Sequence, residues 1–151
     1  MGLRKFSYCL AVPALFSLAG CIGFEKAETG PVYDVRNALV TAGPGIASEL
    51  MLGVGDRVNA AINATVRQQV YPRVILTIRI ASVEKKQGIQ KNRNVAHVSV
   101  DAASVDDGSV IAVSSFAVAS IAYDDNSADQ ILAEDIAARV RSIFQLSTPR
   151  R

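Results

Sequence analysis

The strongest constraint on the fold is the side-chain pattern of three consecutive segments, Arg73–Val83, Val95–Ala102 and Ser109–Ala122. In the first two, alternate side chains are aliphatic, which is the period of a half-buried β-strand. The third is longer and carries Ala, Ser and Val on both faces. Asp106-Asp107-Gly108 separates the last two segments and is typical of a tight turn. The spacing therefore predicts an antiparallel meander of three strands.

Helical patterns flank this meander. Ile46–Val70 has helical spacing of its apolar residues, but it contains Gly53 and Gly55. Each glycine costs about 1 kcal/mol relative to alanine inside a helix. We therefore expect the regular helix to begin at Asp56, a suitable N-cap. The preceding Ile46–Leu52 is expected to form a separate turn.

The second helical pattern, Ser127–Leu146, is the stronger one. Ser127 and Gln130 have the spacing of a capping box. An apolar stripe follows at helical spacing, formed by Ile131, Leu132, Ile136, Val140, Ile143 and Phe144. This segment predicts a long amphipathic helix.

Val32–Val40 predicts a short edge strand. The predicted order is thus strand, helix, three strands, helix. Two helices on one face of a small sheet would bury every apolar stripe. We predict an α+β fold, with a mostly antiparallel sheet of three to four strands and both helices packed on one face.

The N-terminus has the pattern of a secretory signal. Arg4 and Lys5 precede the apolar run Phe6–Leu18. About 13 residues are too few to span a hydrocarbon core of about 30 Å as a helix. An ordinary cleaved signal with an incidental cysteine, or a buried membrane anchor, are the alternatives to a lipid-modified terminus.

Leu18-Ala19-Gly20-Cys21 resembles the lipobox of bacterial lipoproteins. The resemblance implies that residues 1–20 are removed as a signal peptide and that Cys21 is acylated. Two or more acyl chains give stable membrane attachment. Ile22, rather than aspartate, follows the cysteine. Under the same resemblance this implies sorting to the periplasmic face of a Gram-negative outer membrane. Cys21–Pro31 is polar and small in composition and is predicted to be a tether, which leaves residues 32–151 as one periplasmic domain.

The charge and the cysteine content argue against nucleic-acid binding and against an intramolecular disulfide. Arg4 and Lys5 leave with the signal, so the processed chain would carry 14 basic and 14 acidic residues. A formally neutral chain gives no support for nucleic-acid binding, which requires a basic surface. Cys9 also lies in the signal, so Cys21 would be the last cysteine and no intramolecular disulfide is expected.

No catalytic or metal-binding constellation stands out. His97, Ser99 and Asp101 alternate on one predicted strand, which places them on one face but does not build a relay of nucleophile, base and orienting acid. Acidic residues around Asp124 and Asp129 lack the glycine and terminal glutamate of an EF-hand loop. We therefore predict a non-enzymatic protein without cofactor or metal.

The predicted hairpin loop Glu84–Asn94 is the one locally cationic feature, with the basic residues Lys85, Lys86, Lys91 and Arg93. Such a cluster is suited to phosphate groups of anionic lipid or lipopolysaccharide. A solvated loop that discourages edge pairing is the alternative.

The order of elements, and the stretches 88–94, Ala119-Ser120-Ile121-Ala122-Tyr123 and Ala133–Arg139, are similar to the lipopolysaccharide-assembly lipoprotein of the LptE type. That resemblance implies a partner in an outer-membrane barrel and contact with lipopolysaccharide.

Two functions remain open after the sequence. The first is a non-enzymatic accessory in envelope assembly or transport that binds an outer-membrane or transporter protein. The LptE-type resemblance implies that the process is lipopolysaccharide assembly. The second is a small periplasmic lipid- or glycan-binding lipoprotein. An apolar patch on the outer sheet face would favour a protein partner. A closed apolar pocket ringed by Lys85, Lys86 and Arg93 would favour lipid.

Overall fold

The structure, a computed structural model, describes residues 31–148, with only the backbone of Asp125 and Asn126. The elements in chain order are β1 (Asp34–Ala42), α1 (Ser48–Ala64), β2 (Arg73–Gln87), β3 (Arg93–Ser104), β4 (Val110–Ile121) and α2 (Asp125–Phe144). The predicted α+β class is confirmed. The predicted signal peptide, the lipidation site Cys21 and most of the tether lie outside the described residues.

The sheet has the order β1-β2-β3-β4. β2, β3 and β4 form the predicted antiparallel meander, with Ile78 opposite Val100 and Val100 opposite Ser114. β1 pairs with β2 in parallel, so the sheet is mixed. A parallel pair requires a crossover, and α1 supplies it.

The core lies between the sheet and the two helices. On β2 the side chains of Val74, Leu76, Ile78 and Ile80 are all fully buried. The inner residues of β3 continue this layer, and Leu50, Val54 and Val58 of α1 pack onto it. At about 25 cal/mol per Å² of buried apolar surface, this aliphatic layer is the main source of stability.

The expected start of the first helix is wrong. α1 is continuous from Ser48, through both glycines, and ends at Ala64 rather than near Val70. Gly53 is accommodated because the helix crosses α2 there. A Cβ at Gly53 would lie 3.2 Å from Ala133 Cβ. The gain in helix packing outweighs the propensity cost.

The boundaries of the cationic hairpin also differ from the prediction. β2 continues to Gln87 and β3 begins at Arg93, so Lys85 and Lys86 belong to a strand and only residues 88–92 connect the two. The alternation that marks a buried strand ends where the core ends, but backbone pairing continues beyond it. A register shift between Glu84 and Gln87 and a left-handed Lys86 (φ 58°) mark this irregular end.

The second helix is confirmed, but its cap is not Ser127. The helix begins at Asp125 with Asp124 as N-cap, whose carboxylate accepts a hydrogen bond from the Ser127 backbone N–H at 2.8 Å. The serine that the capping-box pattern selected therefore lies inside the first turn. Gln145 ends the helix in the left-handed region (φ 51°).

β1 confirms the predicted edge strand, shifted by two residues. A bulge lies between Val35 and Asn37. The side chain of Asn59 on α1 accepts a hydrogen bond from the Ala38 backbone N–H at 3.0 Å and donates one to the Ala38 carbonyl at 3.1 Å. One backbone position on this edge is thus occupied by a side chain from the helix layer.

Candidate functional site

The surface that the fold leaves uncovered is the outer sheet face, the side of the four strands that points away from both helices. Exposed aliphatic side chains lie on its two edge strands: Leu39 on β1 is 55% exposed, and Val113 and Ile121 on β4 are 68% and 59% exposed. Ile75 and Val95 on the central strands are half-buried. Side-chain alternation places these residues here, because burying one face of a strand exposes the other.

The centre of the outer sheet face is polar. Thr77 pairs with Asp101, and Arg79 pairs with Ser99. The whole face therefore combines aliphatic margins with a polar centre that holds one residue of each charge.

His97 also lies on the outer sheet face. It is exposed, and its cross-strand neighbours are Ser82 and Ala117. A shallow hollow of about 320 Å³ beside it is lined in part by Ser99, Ser115 and Phe116. The histidine, Ser99 and Asp101 follow one another along β3, as the sequence predicted, and no hydrogen bond described in the structure joins them into a relay.

The predicted phosphate-contact residues are spread over the far end of the hairpin. Lys85 Nζ lies 2.7 Å from one carboxylate oxygen of Asp129 and donates a hydrogen bond to the other at 2.9 Å. The backbone N–H of Lys86 donates to Asn94 Oδ1 at 3.2 Å. Lys91 lies in the connection and Arg93 at the start of β3, opposite Ile121. Of the four cations, Lys85 already has a carboxylate partner.

A hollow of about 580 Å³ opens between the start of α1 and β2. Ile46, Leu50 and Val83 give it an apolar wall, and Lys85 and Asp129 stand at its rim. It is an open groove rather than a closed pocket. Of the three cations expected to ring a lipid pocket, only Lys85 lines it.

A second hollow, of about 600 Å³, lies at the opposite end of the sheet and was not predicted from the sequence. Three arginines line it, Arg36, Arg67 and Arg73. Arg36 pairs with Asp34 at 2.9 Å, and Arg73 pairs with Asp106 at 2.7 Å.

Arg67 is held by the protein itself. It donates a hydrogen bond to the Phe144 carbonyl at 2.9 Å and lies over the ring of Tyr71, with 6.0 Å between the guanidinium carbon and the ring centroid. Arg36 is distant in sequence from Arg67 and Arg73, and the parallel pairing of β1 with β2 brings it to their end of the sheet.

Perturbed carboxyl groups mark the helix layer. Arg141, whose Nη2 donates to Glu134 at 2.7 Å, holds the pKa of Glu134 below its ordinary value, and Arg57 adds a smaller effect. Burial raises the pKa of Asp135, and the neighbouring carboxylate adds to this. Hydrogen bonds from Ser109 lower the pKa of Asp107 in the β3–β4 turn. Each shift is explained by local packing or capping.

Within residues 31–148, no group of three or more His, Cys, Asp or Glu side chains has the arrangement of a metal site. No helix in this part of the chain is both long and apolar enough to cross a membrane. Asp124 belongs to the acidic segment that was compared with an EF-hand calcium loop, and its side chain serves as the N-cap of α2.

No protein-family model matches the chain, and no curated protein matches its sequence. Among solved structures, PelC from Paraburkholderia phytofirmans, a dodecamer, aligns with a TM-score of 0.50 at 15% identity. That alignment covers 80% of this chain and 92% of the PelC chain. At this identity the likeness shows a shared fold.

Two other structures align less closely. A candidate lipoprotein from Caulobacter crescentus gives a TM-score of 0.42 at 18% identity, covering 70% of this chain and 85% of the other. A protein from Xanthomonas campestris gives 0.47 at 14% identity, covering 76% and 81%.

Proposed function

We propose that the chain is a lipid-anchored, non-enzymatic accessory protein of the Gram-negative outer membrane that binds a protein partner through the outer sheet face. The observation that carries this proposal is the uncovered outer sheet face with its exposed aliphatic residues. Leu39, Val113 and Ile121 are more than half exposed on the two edge strands of this face. These exposed aliphatic edges are the part of the described surface best suited to a protein partner.

The direction of β1 in the sheet supports a partner located away from the anchoring bilayer. Because β1 and β2 are parallel, both start at the end of the sheet where the tether enters. The cationic hairpin lies at the other end of β2, about 45 Å away at about 3.3 Å per residue. A tether from Cys21 to Val32 spans at most about 40 Å. An upright domain therefore presents the hairpin to the periplasm rather than to the membrane that holds Cys21.

The lipid-binding alternative has less support. The groove beside Lys85 is open, and the lysine is paired with Asp129. The role in lipopolysaccharide assembly rests on the sequence resemblance alone, and the envelope process served by the partner stays a prediction.

The anchor is tested with the full chain and its Cys21→Ser variant in a Gram-negative host. We expect intact mass spectrometry of the wild-type protein to show the mass of acyl chains on Cys21 after removal of residues 1–20. We also expect this protein to fractionate with the outer membrane. The Cys21→Ser protein should lose both properties. Unmodified wild-type protein free in the periplasm would refute the anchor.

The docking surface is tested with a photo-crosslinking amino acid at Leu39 on the outer sheet face. The matched control carries the same group at Ala60, which is exposed on α1 on the opposite side of the domain. We expect a defined protein adduct from position 39 and none from position 60. Equal adducts from both positions would refute docking through the sheet, and an adduct with lipid alone would favour the lipid-binding alternative.

A further inference from the structure

The two edges of the sheet differ in their protection against strand pairing. β1 carries Asp34 and Arg36, contains a bulge, and has the backbone of Ala38 occupied by the Asn59 side chain. These are the devices by which natural proteins prevent edge-to-edge association. β4, at the other edge, lacks the charges and the side-chain cover: from Ser109 to Tyr123 there is no charged residue and no proline. Its one irregularity lies at its start, between Val110 and Ala112, and leaves the rest of the strand regular.

The backbone of β4 offers hydrogen-bonding groups along its open side. In the described part of the chain β4 pairs with β3 alone. The Ala122 N–H donates to the Asn92 carbonyl at 2.9 Å, so even-numbered residues direct their backbone groups toward β3. Alternation then directs the N–H and C=O groups of five residues toward the open edge: Val113, Ser115, Ala117, Ala119 and Ile121. With the two-fold axis proposed below, four of these five residues pair with one another and form about eight hydrogen bonds, within the usual range for a specific interface.

We propose that β4 pairs antiparallel with β4 of a second copy of this chain, across a two-fold axis near Phe116, to form a continuous eight-stranded sheet. An uncharged strand opposite itself brings no like charges together. In this register Val113 lies opposite the partner's Ala119, and Ser115 opposite the partner's Ala117. The axis places the two Phe116 side chains next to each other on the inner face.

Incomplete burial on the inner face of β4 supports this arrangement. Val98 and Val100 of β3 are buried, whereas their neighbours on β4, Phe116 and Ser114, are only half-buried. Val118 is likewise half-buried. The inner side chains of β3 are therefore buried in the core, whereas those of β4 named above are only partly covered. A second inner layer across the edge would cover these side chains.

The helix layer fits a second copy as well. Strands about 4.8 Å apart place α2, which packs on β3 and β4, about 10 Å from its copy across the edge, a normal distance between packed helices. On the flank of α2 away from α1, Asp135 is half-buried and Arg139 is exposed one turn later. The two-fold axis runs the helices antiparallel, which sets each Asp135 toward the partner's Arg139. A partner with a different helix layer would not match this spacing.

Sedimentation velocity of the full chain carrying Cys9→Ser and Cys21→Ser, in mild detergent, tests the proposal. We expect a protein mass of twice 16.0 kDa. Ala117→Pro removes an N–H on the open edge and none toward β3, and proline is tolerated on that side of an edge strand. This variant should sediment as a monomer, and the matched control Ala117→Ser should remain a dimer. A monomeric parent, or a dimer that survives the proline, would overturn the proposal.

A second measurement does not depend on proline being accommodated. With both native cysteines replaced, Ser115→Cys provides a single site for a nitroxide label near the axis. Ser115 lies opposite the partner's Ala117, so the two labelled residues are diagonal neighbours about 7–8 Å apart, and we expect strong dipolar broadening. The same label at Leu39→Cys should show none, because it would lie about 34 Å from its copy across seven strand spacings. Absence of broadening at position 115, or equal broadening at both positions, would overturn pairing through β4.

Discussion

Gly53 and Gly55 lie two residues apart on α1 but face different neighbours, so they give a matched pair of substitutions. A Cβ at Gly55 would meet only Val40 Cγ2, at an ordinary contact distance of 3.5 Å. Replacing glycine by alanine inside a helix stabilises it by about 1 kcal/mol. We therefore expect Gly55→Ala to raise the free energy of unfolding by about 1 kcal/mol.

Gly53→Ala should not give this gain. Its Cβ would lie 3.2 Å from Ala133 Cβ and 3.1 Å from Arg57 Nη1, and that guanidinium also donates to the Gly53 carbonyl at 3.0 Å. Either the helices separate or the arginine moves. Overpacking of this kind costs about 1–3 kcal/mol, which cancels or exceeds the propensity gain. The two variants should differ by about 1–3 kcal/mol in favour of Gly55→Ala.

Urea unfolding of the full chain, monitored by circular dichroism, measures this difference. The comparison requires that both variants have the same m-value. An equal gain at both positions would show that the helix crossing is not tight at Gly53. No gain at Gly55 would show that the regular helix begins only after it, as the sequence suggested. Either result would refute the packing argument for a continuous α1.

Four other substitutions test local contacts of the domain. Asp124→Ala removes the N-cap of α2 and should lower the free energy of unfolding by about 1 kcal/mol, measured by urea unfolding; an unchanged midpoint would contradict the cap. Gly43→Ala places a Cβ 2.7 Å from the backbone oxygen of Ala81 and should destabilise by about 1–3 kcal/mol in the same assay, whereas a neutral result would mean that this loop shifts freely. Glu134→Gln should lower the free energy of unfolding at pH 7. Because the pKa of Glu134 is lowered in the native state, its ionised carboxylate stabilises the fold above the ordinary pKa of glutamate. This contribution is lost on acidification through the lowered pKa. Asp135→Asn should instead stabilise at pH 7, because a raised pKa disfavours the ionised native state, and its gain should disappear below about pH 4; pH-dependent unfolding curves with the same sign for both variants would refute this assignment.

The sequence predicted the meander and both helices because side-chain periodicity reports directly which face of an element is buried. Val74 to Ile80 alternate as a strand that is buried on one side, and the structure confirms it. Periodicity stops at the limit of the core, which is why Lys85 and Lys86 were assigned to a loop. The start of α1 was predicted wrongly from helix propensity. The sequence alone does not distinguish a glycine that allows two helices to cross closely from a glycine that ends a helix. The contact with Ala133 that distinguishes the two is non-local.

The candidate site was less predictable than the fold. Leu39 was predicted on an edge strand, but which edge and which neighbour depended on parallel pairing with β2, and one strand's pattern does not encode its partner. The role of Asn59 on the edge of β1 gave no sequence signal, because an asparagine within a helix is usually solvated. By contrast, the uncharged composition of β4 was visible in the sequence. It became informative only when the structure placed that strand at an edge.

The parallel pairing of β1 has a consequence for the order of folding. β2, β3 and β4 make contacts that are local in sequence, whereas β1 needs the whole of α1 and part of β2 before it finds a neighbour. Pairings that are distant in sequence close larger loops and form more slowly. In a chain that emerges N-terminus first, we therefore expect β1 to dock onto the sheet after the meander has formed. The processing predicted at Cys21 would then be able to take place before the first strand is fixed in the sheet.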